Sequence, residues 1–166
     1  MISRSLEDRL TRLEDADTIR TLVVQYGKAA DRNNDPDMMR ALFEKDCVWE
    51  SPQFGRYEGI EALVEAASRS SREAIVWTLH YNVSVVVHID DAGTGARCHW
   101  HLWEPMKLRQ PGGSDAETWF GATYDTLWRK NAPGLWKMSY LYLETRLLAK
   151  VGESWPGQAD PAREQG

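Results

Sequence analysis

Apolar residues recur at three- and four-residue spacing from position 19, where Ile19, Leu22, Val23, Tyr26 and Ala30 fall on one helix face turned toward a core. Upstream, Leu6, Leu10 and Leu13 keep helical spacing amid charges, and Asp17 is placed to cap a segment that begins at Thr18. The pattern breaks up through Arg32, Asn33, Asn34, Asp35 and Pro36, so Asp31 belongs at or near the helix end. Asp35-Pro36 reads as cap and first-turn proline of a short helix through Met38, Met39, Leu42 and Phe43. The period then shortens: Cys47 to Ser51 reads as a strand stopped by Pro52, and a hairpin follows through Phe54, Gly55, Tyr57 and Gly59. Ile60 to Arg69 is helical again. Four long strand-like runs come next, Ile75 to Ile89, Ala96 to Lys107, Thr118 to Arg129 and Leu135 to Ala149, and their short connections imply an antiparallel meander.

Helices followed by a long aromatic sheet predict an α+β fold, in which a curved, antiparallel-rich sheet wraps around the N-terminal helices. The result is a cone with an internal pocket, an α+β barrel. A single domain over residues 1–150 is expected, with 151–166 as a tail that is loosely ordered or packed on a neighbour. The net charge of -5 supplies no basic field for phosphates, so neither nucleic acid nor an anionic membrane surface is an expected partner. The charged N-terminal stretch lacks the apolar centre of a signal peptide or membrane span, which makes the cytoplasm the expected compartment. Cys47 and Cys98, half the chain apart, read as buried thiols. The partners expected are a small hydrophobic substrate and further copies of the chain, as a trimer or dimer.

Candidate chemistry starts from Asp31, because an inward carboxylate at a helix end needs a cationic or protonated partner. His80, in the strand-like run from Trp77 to Ile89, is the candidate. At about 100° per residue, Tyr26 and Asp31 lie about 140° apart on a regular helix. Sharing one site therefore requires Asp31 beyond the helix end, or a distortion at Gly27. His99 and His101 alternate on one strand face with Glu104 nearby, but no later histidine completes a metal set. If Ala96, Cys98, Trp100 and Leu102 face the cone, both histidines face outward. No metal and no cofactor is expected.

The segment ADRNNDPD after the first helix, the stretch CVWESPQFGRYEGIEAL, His80 in its strand and the hairpin GATYDTLWRKNAPGLWKMS resemble the nuclear transport factor 2-like superfamily over about residues 6 to 148. Within it the chain is similar to the SnoaL-like group, which holds scytalone dehydratase, bile acid 7-alpha-dehydratase and hexachlorocyclohexane dehydrochlorinase. The resemblance implies that Asp31 and His80 form the Asp-His pair of the elimination enzymes and that Tyr26 is a hydrogen-bond donor. It also implies a pocket lined by Trp49, Phe120 and Tyr124, with Trp100 added by strand parity and Arg146 as a counterpart of a late-strand arginine. Arg146 has a competing partner in Glu144. A histidine steadied by a buried carboxylate suits removal of a proton beside a carbonyl. The expected activity is that of a cofactor-independent, dehydratase-type lyase acting on a hydrophobic cyclic or polycyclic substrate. The alternatives are an isomerase or polyketide cyclase using the same residues, and a non-catalytic small-molecule binding protein.

Overall fold

A computed structural model describes residues 5 to 155. Its elements run α1 (Leu6–Asp31), α2 (Pro36–Leu42), β1 (Phe43–Ser51), β2 (Gly55–Glu58), α3 (Ile60–Glu73), β3 (Ile75–Thr78), β4 (Tyr81–Ile89), β5 (Gly95–Arg109), β6 (Asp115–Ala132) and β7 (Leu135–Lys150). The first helix is unbroken, capped by the Ser5 hydroxyl, which accepts from the Asp8 amide at 3.1 Å. Asp17 lies inside it rather than at a cap, because nothing between Leu6 and Asp31 interrupts the backbone ladder. Asp35 does cap α2, accepting from the amides of Asp37 and Met38, with Pro36 in the first turn. Phe43, expected in that helix, instead opens β1.

The architecture is α+β. The seven strands form one curved, unclosed sheet in the order β2-β1-β7-β6-β5-β3, with β4 also paired to β5. The meander expected from the short connections is present as β5, β6 and β7, whereas β1 joins β7 in parallel, a pairing that nothing in the local pattern announced. The concave face buries Ala96, Cys98, Trp100 and Leu102 of β5 and Ala122, Tyr124 and Trp128 of β6 against α1, where Ile19 and Val23 are fully covered. At the other end of the same helix, buried Asp15 accepts from Lys130 Nζ at 2.7 Å and Trp136 Nε1 at 2.8 Å, tying α1 to the β6–β7 hairpin. The expected tail lies outside the described residues from position 156 onward, and Trp155 is exposed beside Trp103.

The run expected as one strand from Ile75 to Ile89 is two, broken at Leu79 and His80. Both halves pair with β5, with Thr78 opposite Met106 and Tyr81 opposite Trp103, so the register carries His80 opposite Glu104 and Leu79 opposite Pro105. Leu79 donates its amide to the Pro105 carbonyl at 3.2 Å, but proline has no N–H to return. The ladder is therefore interrupted beside His80, and on this outer strand the His80 amide points away from β5, free for another acceptor.

Candidate active site

Asp31 supplies that acceptor. Its Oδ1 takes the His80 amide at 3.0 Å and the His80 ring Nδ1 at 2.7 Å, so one carboxylate oxygen fixes both the backbone and the ring. The helix can approach this closely because Val23, Gly27 and Asp31 form one i, i+4 stripe. Val23 offers its carbonyl to Asn82 Nδ2 at 3.1 Å, and Gly27 offers no side chain at all. A Cβ at position 27 would sit 3.3 Å from His80 Cβ and 2.8 Å from Asn82 Nδ2. Gly27 thus permits contact and introduces no distortion; the helix stays regular through it. The 140° separation is resolved the same way. Tyr26 and Ala30 face the cavity, while Asp31, the last helical residue, grips His80 from behind.

The His80 side chain is 9% exposed and its Nε2 lies 3.5 Å from Glu104 Oε2. Glu104 is 3% exposed and also receives the Thr78 hydroxyl. Burial pushes its carboxyl above the ordinary value, against the pull of His80 and of the Thr78 hydrogen bond, while Asp31 pushes the same way as burial. His80 thus stands between two carboxylates, with Asp31 at Nδ1 and Glu104 beyond Nε2. In the sequence Glu104 stands out only beside His99 and His101, as part of an incomplete metal set, although strand parity carries the inward face of Ala96, Cys98, Trp100 and Leu102 on to it.

Before His80 and Glu104 opens a cavity of about 320 Å³. Tyr26, Trp49, Phe120 and Tyr124 line it, together with Phe54, whose ring meets Phe120 edge-on at 6.0 Å. Tyr26 is pinned among aromatic neighbours, edge-on to Phe43 and Tyr124 at 5.9 Å each, and its oxygen accepts from Trp49 Nε1 at 3.4 Å. Burial raises the Tyr26 phenol above its ordinary value and raises Tyr124 well above it.

Two expected wall residues are placed elsewhere. Trp100 is fully buried behind Tyr124, stacked on it at 4.8 Å, because it fills the core layer beneath the wall. Arg146 is exposed on β7 and pairs with Glu144 at 3.1 Å, the competing partner already visible in the sequence. His101 is exposed and His99 sits against Asp125 at 3.2 Å on the outer sheet face. No group of three His, Cys, Asp or Glu side chains suited to hold a metal ion occurs among the described residues. None of the described helices is long and apolar enough to cross a membrane.

A SnoaL-like domain model matches residues 11–142. Among solved structures, the chain is similar to hexachlorocyclohexane dehydrochlorinase LinA-type3 from Novosphingobium barchaimii LL02, at 15% identity over 91% of this chain and 99% of that one, with a TM-score of 0.76. A protein from Novosphingobium aromaticivorans DSM 12444 named as a candidate scytalone dehydratase is 21% identical over 90% of this chain and 98% of its own, with a TM-score of 0.71. A nuclear transport factor 2-like superfamily protein from Salmonella enterica serovar Typhimurium LT2 follows at 14% identity over 89% and 94%, with a TM-score of 0.69. At these identities the likeness carries the fold. No protein of curated function matches the chain by sequence.

Proposed function

The chain belongs to the SnoaL-like domain family, and from its site we propose that it is a cofactor-independent lyase of the dehydratase type, acting on a hydrophobic ring compound. One observation carries this: an imidazole held at Nδ1 by a helix-end carboxylate and presented to an apolar cavity. In the proposed reaction His80 Nε2 takes a proton from the carbon beside an activating carbonyl, and Asp31 holds the Nδ1 proton and balances the imidazolium. The C–H electrons become the new C=C bond. The hydroxyl on the next carbon leaves with its C–O electrons and departs as water on taking the Glu104 proton, which His80 then restores across the 3.5 Å gap. A halide would leave without needing that proton. Tyr26 faces the oxygen on which charge builds, a contact that strengthens in a dry pocket.

Adjacency of His80 and Glu104 also favours an isomerase or cyclase reading, in which the abstracted proton is returned to a different atom. Product analysis separates them. Incubation with hydroxylated and halogenated ring compounds should yield conjugated products in the ultraviolet, and His80→Ala and Asp31→Asn should lower the rate roughly 10²–10⁴-fold with the fold retained. Ligand binding unchanged by His80→Ala, with no turnover by the parent protein on any compound, would favour a carrier instead. The proposal includes self-association through the outer sheet face, where Tyr81, Val83, Val86 and Leu127 are exposed; sedimentation of Val83→Lys against the parent protein tests it.

A further inference from the structure

Carboxyl groups at the cavity outnumber its one imidazole. Asp31 holds His80 Nδ1 at 2.7 Å and Glu104 stands 3.5 Å beyond Nε2, so a protonated His80 already has two carboxylates facing it. The last turn of α1 borders the space through Ala30, and a helix C-terminus adds partial negative charge of its own. Among the described residues no lysine or arginine lines the cavity. Three arginines stand next in sequence to lining residues, and each is held elsewhere. Arg40, after Met39, pairs with Asp37 and Glu61, and Arg56, before Tyr57, pairs with Glu50 and Glu58. Arg109, after Leu108, gives its guanidinium to the carbonyls of Arg72 and Ile75 at 2.8 and 3.0 Å. The Thr78 hydroxyl, a neutral donor beside the base, is bonded to Glu104. An anion drawn into this space would shed its water with no cation to replace it. A proton lent to it by Glu104 would leave the negative charge in place, shared between two acids.

Resting on the reading that a hydrophobic ring compound fills this cavity, we infer that the part of the ligand that enters is uncharged, and that Glu104 is the specificity-determining residue that turns anions away. Alcohol, ketone, ester and halide functions are admitted; carboxylate, phosphate and sulfate are refused. An acid function on a larger ligand stays toward solvent, on the side of Leu148, a lining residue that is 42% exposed. The exclusion also protects the base, since an anion lodged beside Nε2 would hold His80 as the imidazolium and leave it unable to take a proton. The reaction that supplies this site must therefore deliver a ring that carries no free acid.

The test uses two probes of matched shape, tetralin-1-carboxamide and tetralin-1-carboxylate, whose affinities are measured by calorimetry at neutral pH. The full-length protein is compared with its Glu104→Gln and Leu148→Lys variants. The parent protein should bind the carboxamide roughly ten- to a hundredfold more tightly than the carboxylate. Glu104→Gln removes the acid and Leu148→Lys brings a cation to an exposed part of the wall, so each should narrow that gap roughly two- to tenfold. Carboxamide affinity, which a collapsed cavity would lose, checks that each variant is intact. A carboxylate bound by the parent as tightly as the carboxamide would overturn the inference and leave the lyase reading standing, because no turnover is measured. A gap unmoved by either variant would place the discrimination outside the cavity and overturn it as well. A gap narrowed by Leu148→Lys and untouched by Glu104→Gln would overturn the assignment to Glu104. Failure of the parent to bind either probe would overturn the inference together with the ring-compound reading it rests on.

Discussion

Replacing Gly27 by Ala in α1 should destabilise the protein, although alanine is the better helix former. At an exposed mid-helix position the exchange gains about 1 kcal/mol. Here the new Cβ would lie 2.8 Å from Asn82 Nδ2, an amide that cannot step aside freely. Its nitrogen holds the Val23 carbonyl at 3.1 Å and its oxygen holds Trp100 Nε1 at 3.1 Å, on an indole that is fully buried. Displacing Asn82 strands that indole N–H, a loss of about 1–3 kcal/mol, and weakens the bond to Val23 by about 1 kcal/mol. Set against the helical gain, the net is a destabilisation of about 1–3 kcal/mol. For a chain of this size that lowers the thermal midpoint by roughly 2–12 °C. Because Val23, Gly27 and Asp31 share one stripe, the same displacement should lengthen the Asp31–His80 contact and depress activity more than stability alone explains. Thermal and urea unfolding of Gly27→Ala settle the matter. A variant as stable as the parent, or more stable by the helical increment, would refute the close-approach explanation.

Asp15→Ala should cost roughly 3–5 kcal/mol in urea unfolding, because it leaves Lys130 and the Trp136 N–H without their buried partner. Glu104 governs a pH effect: its folded value lies above the ordinary 4.5, so between the two the native state keeps a proton that the unfolded chain releases. Stability should therefore fall as pH rises through that window, and Glu104→Gln should flatten the profile measured by denaturation at successive pH values. Burial raises the Cys47 thiol to about 11 and the Cys98 thiol to about 12, so both should resist a thiol-specific reagent at pH 8 in the folded protein and react together once it is unfolded.

Much of this arrangement is legible in residue spacing, and the parts that are not share a cause. Tyr26 and Asp31 could be assigned to the first helix and its end because a 3.6-residue period stops at Asp31. The inward face of β5 followed from alternation, and extending it two residues past Leu102 reaches Glu104. Pairing Glu104 with His80, however, depends on strand register, which a turn and a whole hairpin decide together. Pro105, which interrupts the ladder beside His80, was visible as a residue but had no meaning until its partner strand was known. Trp100 shows the limit of parity: it separates inside from outside but cannot tell a cavity wall from the layer beneath it. Gly27 could be suspected from its place in an apolar face, yet close approach and distortion leave the same mark in a sequence.

Exchange of deuterium into 1-tetralone in heavy water, followed by proton NMR at the carbon beside the carbonyl, tests most directly whether His80 and Asp31 act as a base. It requires no leaving group and no knowledge of the natural substrate. The parent protein should accelerate exchange over buffer, and His80→Ala and Asp31→Asn should each abolish most of the acceleration while melting near the parent temperature. Exchange by the parent protein no faster than buffer, or undiminished in folded His80→Ala, would contradict proton abstraction by this pair.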